Sequence, residues 1–301
     1  MTWQSLLLNV VRPLQADLAL LISPEEAAQP GVLQQAATHI WTEREHDDWG
    51  ELVTELLGTG KWRSYVTLVD NLWGGVRVCT SPSCALVKGS GALIMALRMV
   101  LLRQLDALSK PSYRRLVLTR SDYMHACPPP GLHRQPLPGQ VYVPVSHEEG
   151  VTDRHSMFAF SDRRAVLAVL PWLVQHSRTP GLNLSTPEEA LAAYFRAARL
   201  SVVSLPRTMF TVATPADRTR WHRALPGLGV CVAARRNRSQ AALRLKYWQE
   251  FSMVVTQDMC HRPGDLPLEV LVCRQGEQLQ GARISSAQCA CRTTGRPLLS
   301  G

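Results

Sequence analysis

The sequence predicts an α/β fold, in which a mostly parallel, Rossmann-like sheet is flanked by helices. Short apolar runs alternate with amphipathic helical segments as far as about residue 205, and this alternation is typical of such sheets. The segment 113–130 shows it most clearly, because its apolar run stops at a polar cluster and a run of prolines: YRRLVLTRSDYMHACPPP. A strand that ends in this way places its polar residues at the carboxyl edge of the sheet, where ligands bind.

Each predicted element in the first part of the chain has a local signal. Apolar residues recur at helical spacing around Pro13, and the helix start at 23–26 combines serine, proline and two acids. The glycine-serine turn at 89–91 exposes amides that suit a phosphate, although such turns more commonly only start helices. The helix after this turn leads into the strand at 115–119, an order that favours a parallel neighbour. The predicted elements are helices over 3–14, from 24, over 49–57 and over 92–108, and strands over 17–22, 67–73 and 115–119.

The second part of the chain continues the alternation and then loses it. From Pro215 the chain is polar and arginine-rich, and after Leu271 little pattern remains. We therefore predict one domain over 1–255 and an irregular, poorly ordered tail over 256–301. The predicted elements are strands over 140–144, 157–160, 200–205 and 208–212, and helices over 163–175, with Pro171 as a candidate kink, and from 185–189 to 200.

Composition limits the class of partner. The hydrophobic fraction of 46% is ordinary for a globular protein. The chain contains no run of eighteen apolar residues, so no transmembrane segment is predicted. The formal charge of +9 allows an acidic partner such as a nucleoside diphosphate. Arginines are scattered, with the densest cluster at 235–244, and no aromatic residues interleave with them, so no nucleic-acid partner is expected. The eight cysteines lack paired Cys-x-x-Cys spacing, so free thiols are predicted rather than a zinc site.

Two polar clusters at the ends of strand-like runs form the candidate site. One is the RSD triplet at 120–122, and the other is the DRH triplet at 153–155. Transfer of a group from a nucleoside diphosphate needs a carboxylate for a divalent cation, cations for the phosphate charge and a base for the incoming hydroxyl. Between them, the two triplets contain each of these groups.

The residue types suggest a role for each member of these clusters. Asp122 can bind a metal ion or a ribose, Arg120 can neutralise phosphate, and Asp153 or His155 can accept a proton. A purely structural interpretation is the alternative. In that interpretation Asp153 and Arg154 form a surface ion pair, and His155 packs against the protein.

The order of several segments resembles WavE-type glycosyltransferases, which build lipopolysaccharide cores and capsules and have relatives in algae. The resemblance covers about residues 3–252, and the segments that carry it include DNLWGGV, GSGALIMALRMVLL, TRSD, TDRH with the aromatic strand after it, and TPEEALAAYF. It implies a GT-A-like nucleotide-sugar fold. The R-x-D carboxylate would then stand where related enzymes place a D-x-D metal motif.

The resemblance also implies roles for named residues. Asp122 would hold Mn²⁺ or Mg²⁺ and face the nucleotide sugar, with Arg120, Ser121 and Asp70 at the donor. Asp153, with His155, would lie on the acceptor side. The chain departs from the family in two places: the family's first strand and basic turn are missing, and VSHEEGVTDRH replaces a glycine-rich, acidic loop.

The expected function is therefore that of a hexosyltransferase-type enzyme of polysaccharide biosynthesis, which moves a sugar from a nucleotide-sugar to a carbohydrate acceptor. The missing first strand prompts an alternative, a catalytically inactive member of the same fold that binds a glycan or a protein. The sequence leaves the donor sugar, the acceptor, the stereochemistry and the oligomeric state open. It leaves localisation open too: cytoplasmic, or in the Golgi lumen if the chain begins further upstream.

Overall fold

The chain divides into two compact units in a computed structural model. The terminal unit comprises Met1–Pro13, Ser121–Pro130 and Arg207–Gly301, and the central unit comprises Leu14–Arg120 and Gly131–Pro206. The structure describes residues 2–29, 31–44, 46, 48–68, 72–73, 77–80, 83–86, 91–108, 112–129, 135–145, 151–182, 184, 186–213, 228–234, 240–245, 247, 249–250, 253–254 and 268–274. The predicted boundary near residue 255 does not coincide with this division, and a domain over 1–255 stays a prediction.

The described elements follow the predicted alternation of helices and strands in the central part of the chain. The helices are α1 (Thr2–Leu6), α2 (Arg12–Leu14), α3 (Pro24–Ala27), α4 (Val32–Ala36), α5 (Trp49–Leu57), α6 (Gly91–Ala107), α7 (Arg163–Leu167), α8 (Val169–His176) and α9 (Pro187–Ala197). The strands are β1 (Ala19–Ile22), β2 (His39–Thr42), β3 (Arg77–Thr80), β4 (Ser83–Leu86), β5 (Arg115–Leu118), β6 (Tyr123–His125), β7 (Gln140–Pro144), β8 (Ser156–Ala159), β9 (Ser201–Leu205), β10 (Met209–Ala213), β11 (Leu228–Ala234), β12 (Gln240–Leu245) and β13 (Leu268–Arg274).

The main sheet of the central unit has four strands in the order β5-β8-β7-β9. Strand β8 is antiparallel to both of its neighbours, with Phe158 opposite Leu116 on one side and Val141 on the other, and β7 is parallel to β9. Two smaller sheets belong to the same unit, the parallel pair β1-β2 and the antiparallel hairpin β3-β4. The unit is therefore a mixed α/β structure.

The expectation of a mostly parallel sheet is wrong for the described strands. Only β1-β2 and β7-β9 pair in parallel, and β5, which follows the long helix α6, pairs antiparallel with β8. A parallel pair needs a long crossover connection, and three helices (α7 to α9) separate β8 from β9. That crossover returns the chain beside β7 rather than beside β8. Helical periodicity thus predicts a crossover but not the strand beside which it ends.

The core of the central unit surrounds helix α6, which packs against α5, α7, α8 and α9. The indole rings of Trp62 and Trp73 stack in this core with their centroids 5.7 Å apart, and both side chains are buried. Leu72 and Trp73 belong to a turn, so the strand predicted over 67–73 does not form at these residues. A short apolar run in the sequence indicates that its side chains are buried, but it does not distinguish a strand from a packed turn.

The helix predicted over 163–175 breaks at Ala168, three residues before the candidate kink at Pro171. The pyrrolidine ring of a proline clashes with the carbonyl of the fourth residue before it, here Leu167. The break at Ala168 places Pro171 in the first turn of α8, where its missing N–H is not needed. The capping residues predicted for α9 are confirmed: the Glu189 amide donates to Thr186 Oγ1 at 3.2 Å, and the Thr186 amide to Glu189 Oε2 at 3.0 Å.

The terminal unit holds an antiparallel sheet in the order β13-β11-β12-β10-β6. Strands β11, β12 and β13 were not among the elements predicted from the sequence. Strand β13 falls in the segment expected to be an irregular tail, so that segment is regular over Leu268–Arg274. Cys127, between β6 and the prolines, is disulfide-bonded, so the prediction of free thiols is wrong at this residue.

Helix α1 covers one edge of β6 through two side chains, Ser5 and Asn9. The His125 amide donates to Ser5 Oγ at 3.0 Å, and Asn9 Nδ2 donates to the His125 carbonyl at 2.7 Å. Residues four apart on a helix lie on the same face, which lets this pair satisfy both backbone groups of His125. Asn9 lies in the π-helical turn Leu7–Val11 that continues α1. The helix therefore takes the place of a further strand.

None of the helices in the described ranges combines the length and the apolar character that crossing a bilayer requires.

Candidate functional site

The RSD triplet follows β5, as predicted, but the division between the two units falls inside it. Arg120 belongs to the central unit, whereas Ser121 and Asp122 belong to the terminal unit. Ser121 is exposed, and Arg120 and Asp122 are half-buried. The Val212 amide donates to the Asp122 carbonyl at 3.0 Å, which fixes the backbone of Asp122 to the start of the β6-β10 pair. Asp70, the other predicted donor-binding residue, lies outside the described residues.

The DRH triplet lies on the loop 151–155, which leads into β8, an inner strand of the four-stranded sheet. Asp153 is 5% exposed and His155 is 4% exposed. Asp153 Oδ1 lies 3.3 Å from Arg154 Nε, so the two residues do pair, as the structural interpretation expected. Asp153 is buried and Arg154 is mostly enclosed, so this is not a surface pair, and the buried carboxylate must be compensated by its neighbours.

Arg98 supports this loop from helix α6, although it was not among the predicted site residues. Its side chain is buried, and Nη2 donates to the Asp153 carbonyl at 2.9 Å. The signal was present in the sequence: Met95, Arg98, Leu102 and Leu105 recur at the 3-4-3 spacing of one helix face. An arginine in the middle of an apolar stripe is a buried polar residue that needs a partner.

Burial lowers the pKa of Arg98 from its usual range to about 10, and the charge of Asp153 opposes this shift. The guanidinium therefore stays protonated at neutral pH. Asp153 compensates only part of the cost of burying this charge, because desolvation is the larger of the two effects.

Glu188 completes the group of charges around the loop. It is buried in the first turn of α9, and its Oε1 lies 3.9 Å from Arg154 Nη2. The positive end of a helix dipole favours a carboxylate at this position. We call Arg98, Asp153, Arg154 and Glu188 the Asp153 cluster. It contains two guanidinium groups and two carboxylates, so its formal charges balance.

No family model, no curated protein and no solved structure matches this chain. The resemblance to WavE-type transferases therefore stays a hypothesis.

The ligand set for the implied Mn²⁺ or Mg²⁺ is not complete in the described part of the chain. There, no three His, Cys, Asp or Glu side chains converge in a way that could hold a metal ion. Asp122 would contribute a single carboxylate, and water and the phosphates of the donor would have to supply the other ligands, as they commonly do for Mg²⁺ in proteins. The metal role of Asp122 therefore stays a prediction.

A second polar group in the central unit joins Asp17, His39 and Tyr113. The Tyr113 hydroxyl donates to Asp17 Oδ2 at 2.8 Å and lies 2.9 Å from His39 Nε2. A phenol has one proton to donate, so Tyr113 accepts from His39, and Nε2 of His39 carries the hydrogen. These bonds tie the start of the β1-β2 pair to the segment before β5. These three residues therefore link two sheets of the central unit and have a structural role.

Replacing Tyr113 with phenylalanine is expected to lower the free energy of unfolding at pH 7 by about 1–2 kcal/mol, since two hydrogen bonds are lost. Desolvation, followed by the hydrogen bond to Asp17, raises the pKa of Tyr113 above 10. A raised folded-state pKa stabilises the fold below pH 10, and this stabilisation is lost as the pH rises through the folded-state pKa. The difference between wild type and Tyr113→Phe in urea unfolding should therefore shrink above pH 10.

The matched control is Tyr142→Phe, because the Tyr142 hydroxyl makes only a short-range bond to Gln140 Oε1 at 2.8 Å. It is expected to cost less at pH 7. A Tyr113→Phe variant no less stable than this control would contradict the structural role of the Tyr113 hydrogen bonds.

Proposed function

We propose that the chain is a glycosyltransferase on a GT-A-like fold, which moves a sugar from a nucleotide-sugar donor to a carbohydrate acceptor. One observation carries the proposal: Asp153 and His155 lie on a single loop, at the start of an inner strand, with the buried guanidinium of Arg98 against its backbone. A side chain that accepts a proton in catalysis must be held in a fixed position, and buried neighbours that bond to its loop provide this support. The resemblance to WavE-type transferases adds the reaction class.

In the proposed reaction the acceptor hydroxyl gives its proton to Asp153 or His155. The acceptor oxygen then forms a bond to the anomeric carbon, and the bond between that carbon and the phosphate oxygen breaks, so the nucleoside diphosphate leaves. Arg120 would neutralise the phosphate charge, and Ser121 and Asp122 would bind the donor. Because the acceptor attacks the anomeric carbon in a single step as the phosphate leaves, this reaction would invert the anomeric configuration.

The burial of the loop favours a second candidate function, an inactive member of the same fold that binds a glycan. Asp153 and His155 are less than one-tenth exposed, and Asp153 is paired with Arg154. Side chains that are enclosed and paired in this way commonly hold a loop in place rather than meet a substrate. This candidate predicts ligand binding without turnover.

The test is a thermal-shift titration of the whole chain with a panel of nucleoside diphosphates, with and without Mn²⁺, followed by donor hydrolysis and transfer assays. A ligand at about a hundredfold its Kd stabilises the folded state by about 2.7 kcal/mol, which a melting curve resolves. We expect one nucleotide to shift the transition. We expect Asp122→Asn to abolish turnover and Asp153→Asn to reduce it by about 10²–10⁴-fold, the usual contribution of a general base.

The matched control is Asp106→Asn, since Asp106 lies on a partly exposed face between Arg163 and Arg164, with Nε to Oδ distances of 2.8 and 2.9 Å. This variant should retain activity. No thermal shift and no hydrolysis with any donor would overturn the transferase proposal, and glycan binding without hydrolysis would support the inactive member.

A further inference from the structure

We propose that strand β9 is an interaction surface, at which a second copy of this chain adds its own β9 in antiparallel orientation. Strand β9 (Ser201–Leu205) is the last strand of the four-stranded sheet, and among the described strands it pairs only with β7. Pairing at its other edge would join two such sheets into one. This inference concerns the association of the chain and does not depend on the proposed transferase activity.

The backbone of β9 presents two residues at its outer edge, Val202 and Ser204. In a parallel pair, alternate residues of a strand direct their backbone groups towards the partner strand. The Ser201 amide donates to the Gly139 carbonyl at 2.7 Å, next to the start of β7, so the odd-numbered residues of β9 face β7. The amides and carbonyls of Val202 and Ser204 therefore point away from the sheet.

This edge is accessible and lacks the features that usually prevent strand pairing. Ser201, Val202 and Ser204 are exposed, with Val202 at 37%, and the sequence SVVSL contains no charge and no proline. Natural proteins commonly protect an edge strand with charges, with proline or with a covering segment. The strand at the opposite edge of the sheet differs, because β5 contains Arg115 and all four of its residues are half-buried. Of the two edge strands, β9 is therefore the one that is open to a partner.

The two outward residues are symmetric about Val203, which allows pairing with an identical strand. In the antiparallel register that places Val203 opposite the partner's Val203, Val202 of each copy lies opposite Ser204 of the other. Each of these two pairs exchanges both of its backbone hydrogen bonds, so the outward amides and carbonyls of both strands find partners. Such a two-fold contact closes on itself, as in most soluble oligomers.

The ends of the edge favour a second β9 over a longer extended peptide. The outward position before Val202 is Leu200, whose amide already donates to the Phe195 carbonyl at 2.8 Å. The outward position after Ser204 is Pro206, which has no amide hydrogen. A longer peptide would find no further donors, whereas a second β9 presents the same two outward residues. An uncharged strand also brings no like-charge repulsion when it pairs with itself.

Sedimentation velocity of the whole chain tests the inference at concentrations from about 1 to about 100 µM, since an interface of modest size is expected to bind in the micromolar range. We expect a dimer whose fraction rises with concentration. Val202→Lys places a charge on the edge and should weaken the dimer at least about tenfold. The matched control is Val32→Lys, since Val32 on α4 is 45% exposed and the same change there leaves β9 untouched. The control should dimerise as wild type does.

Two further variants test the geometry of the contact. Ser204→Pro removes one outward amide from each copy but leaves the bonds to β7 in place. The dimer should again weaken at least about tenfold, because half of the backbone bonds between the copies are lost. Val203→Cys places two thiols opposite each other across the two-fold axis, close enough for a disulfide to join them. Oxidation should therefore link the copies at residue 203, and peptide mass spectrometry distinguishes this link from those of the native cysteines.

Three results would overturn the inference. They are a monomer at every concentration, folded Val202→Lys and Ser204→Pro variants that dimerise as wild type does, and larger assemblies in place of a closed dimer. Circular dichroism identifies the variants that keep the wild-type fold. Should Ser204→Pro not keep it, Val202→Lys decides, because that change leaves every backbone bond of β9 in place. Donor hydrolysis is measured separately, so failure of the dimer and failure of the transferase proposal are distinguishable.

Discussion

Replacing Glu250 with glutamine is expected to lower the free energy of unfolding of the terminal unit by about 3–5 kcal/mol, the range for breaking a buried ion pair. Glu250 Oε1 lies 3.0 Å from Arg207 Nη1, and both side chains are less than one-tenth exposed. Glu250 Oε2 also accepts from the amide and the hydroxyl of Thr211, each at 2.7 Å. The substitution removes the charge that compensates Arg207 and turns one of these acceptors into a donor.

Urea unfolding at pH 7 measures this loss, and Glu55→Gln is the matched control. Glu55 is 61% exposed and lies 3.8 Å from Arg103, so the same chemical change should cost less than about 1 kcal/mol there. A Glu250→Gln variant no less stable than this control would contradict a stabilising role for the pair. The double variant Arg207→Met with Glu250→Leu should recover part of the loss, because neither buried charge then remains.

Replacing Gly91 with alanine is expected to lower the free energy of unfolding by about 1–3 kcal/mol, the usual cost of overpacking a core. A Cβ at Gly91 would lie 2.7 Å from Pro187 Cγ and 2.9 Å from the Leu72 carbonyl oxygen. The second of these is backbone and cannot move aside as the end of a side chain can. The clash should outweigh the gain of about 1 kcal/mol that alanine normally brings over glycine in a helix.

The control for this substitution is Gly60→Ala, because Gly60 also begins a helical turn and an added Cβ there meets nothing within 4 Å. We expect Gly60→Ala to be neutral or slightly stabilising in the same unfolding experiment. If the two substitutions changed the free energy of unfolding equally, the close packing of Gly91 against Pro187 and the Leu72 carbonyl would be refuted. The Ala92 amide donates to the Leu72 carbonyl at 2.5 Å. This amide is therefore already hydrogen-bonded within the protein, whereas a phosphate-binding turn would leave it available to the ligand.

The sequence by itself determined the elements that carry their own local signals. The serine-proline start of α3 and the threonine-glutamate box of α9 form as predicted, because a cap and the amide that it binds lie within one turn of the chain. The long helix α6 and the strands β5, β7 and β8 also form within a residue or two of their predicted bounds. Asp153 and His155 were identified as site candidates from residue type and position alone.

The tertiary structure decided which of these elements meet. Strand β5 pairs antiparallel with β8, about forty residues later. Arg98 reaches Asp153 across 55 residues of chain, and Glu250 reaches Thr211 across 39. Contacts between residues so far apart in sequence depend on how apolar faces pack against each other, and a given apolar face could pack against several others. A buried ion pair or an enclosed polar cluster forms only in one particular packing arrangement, so local sequence patterns do not reveal it.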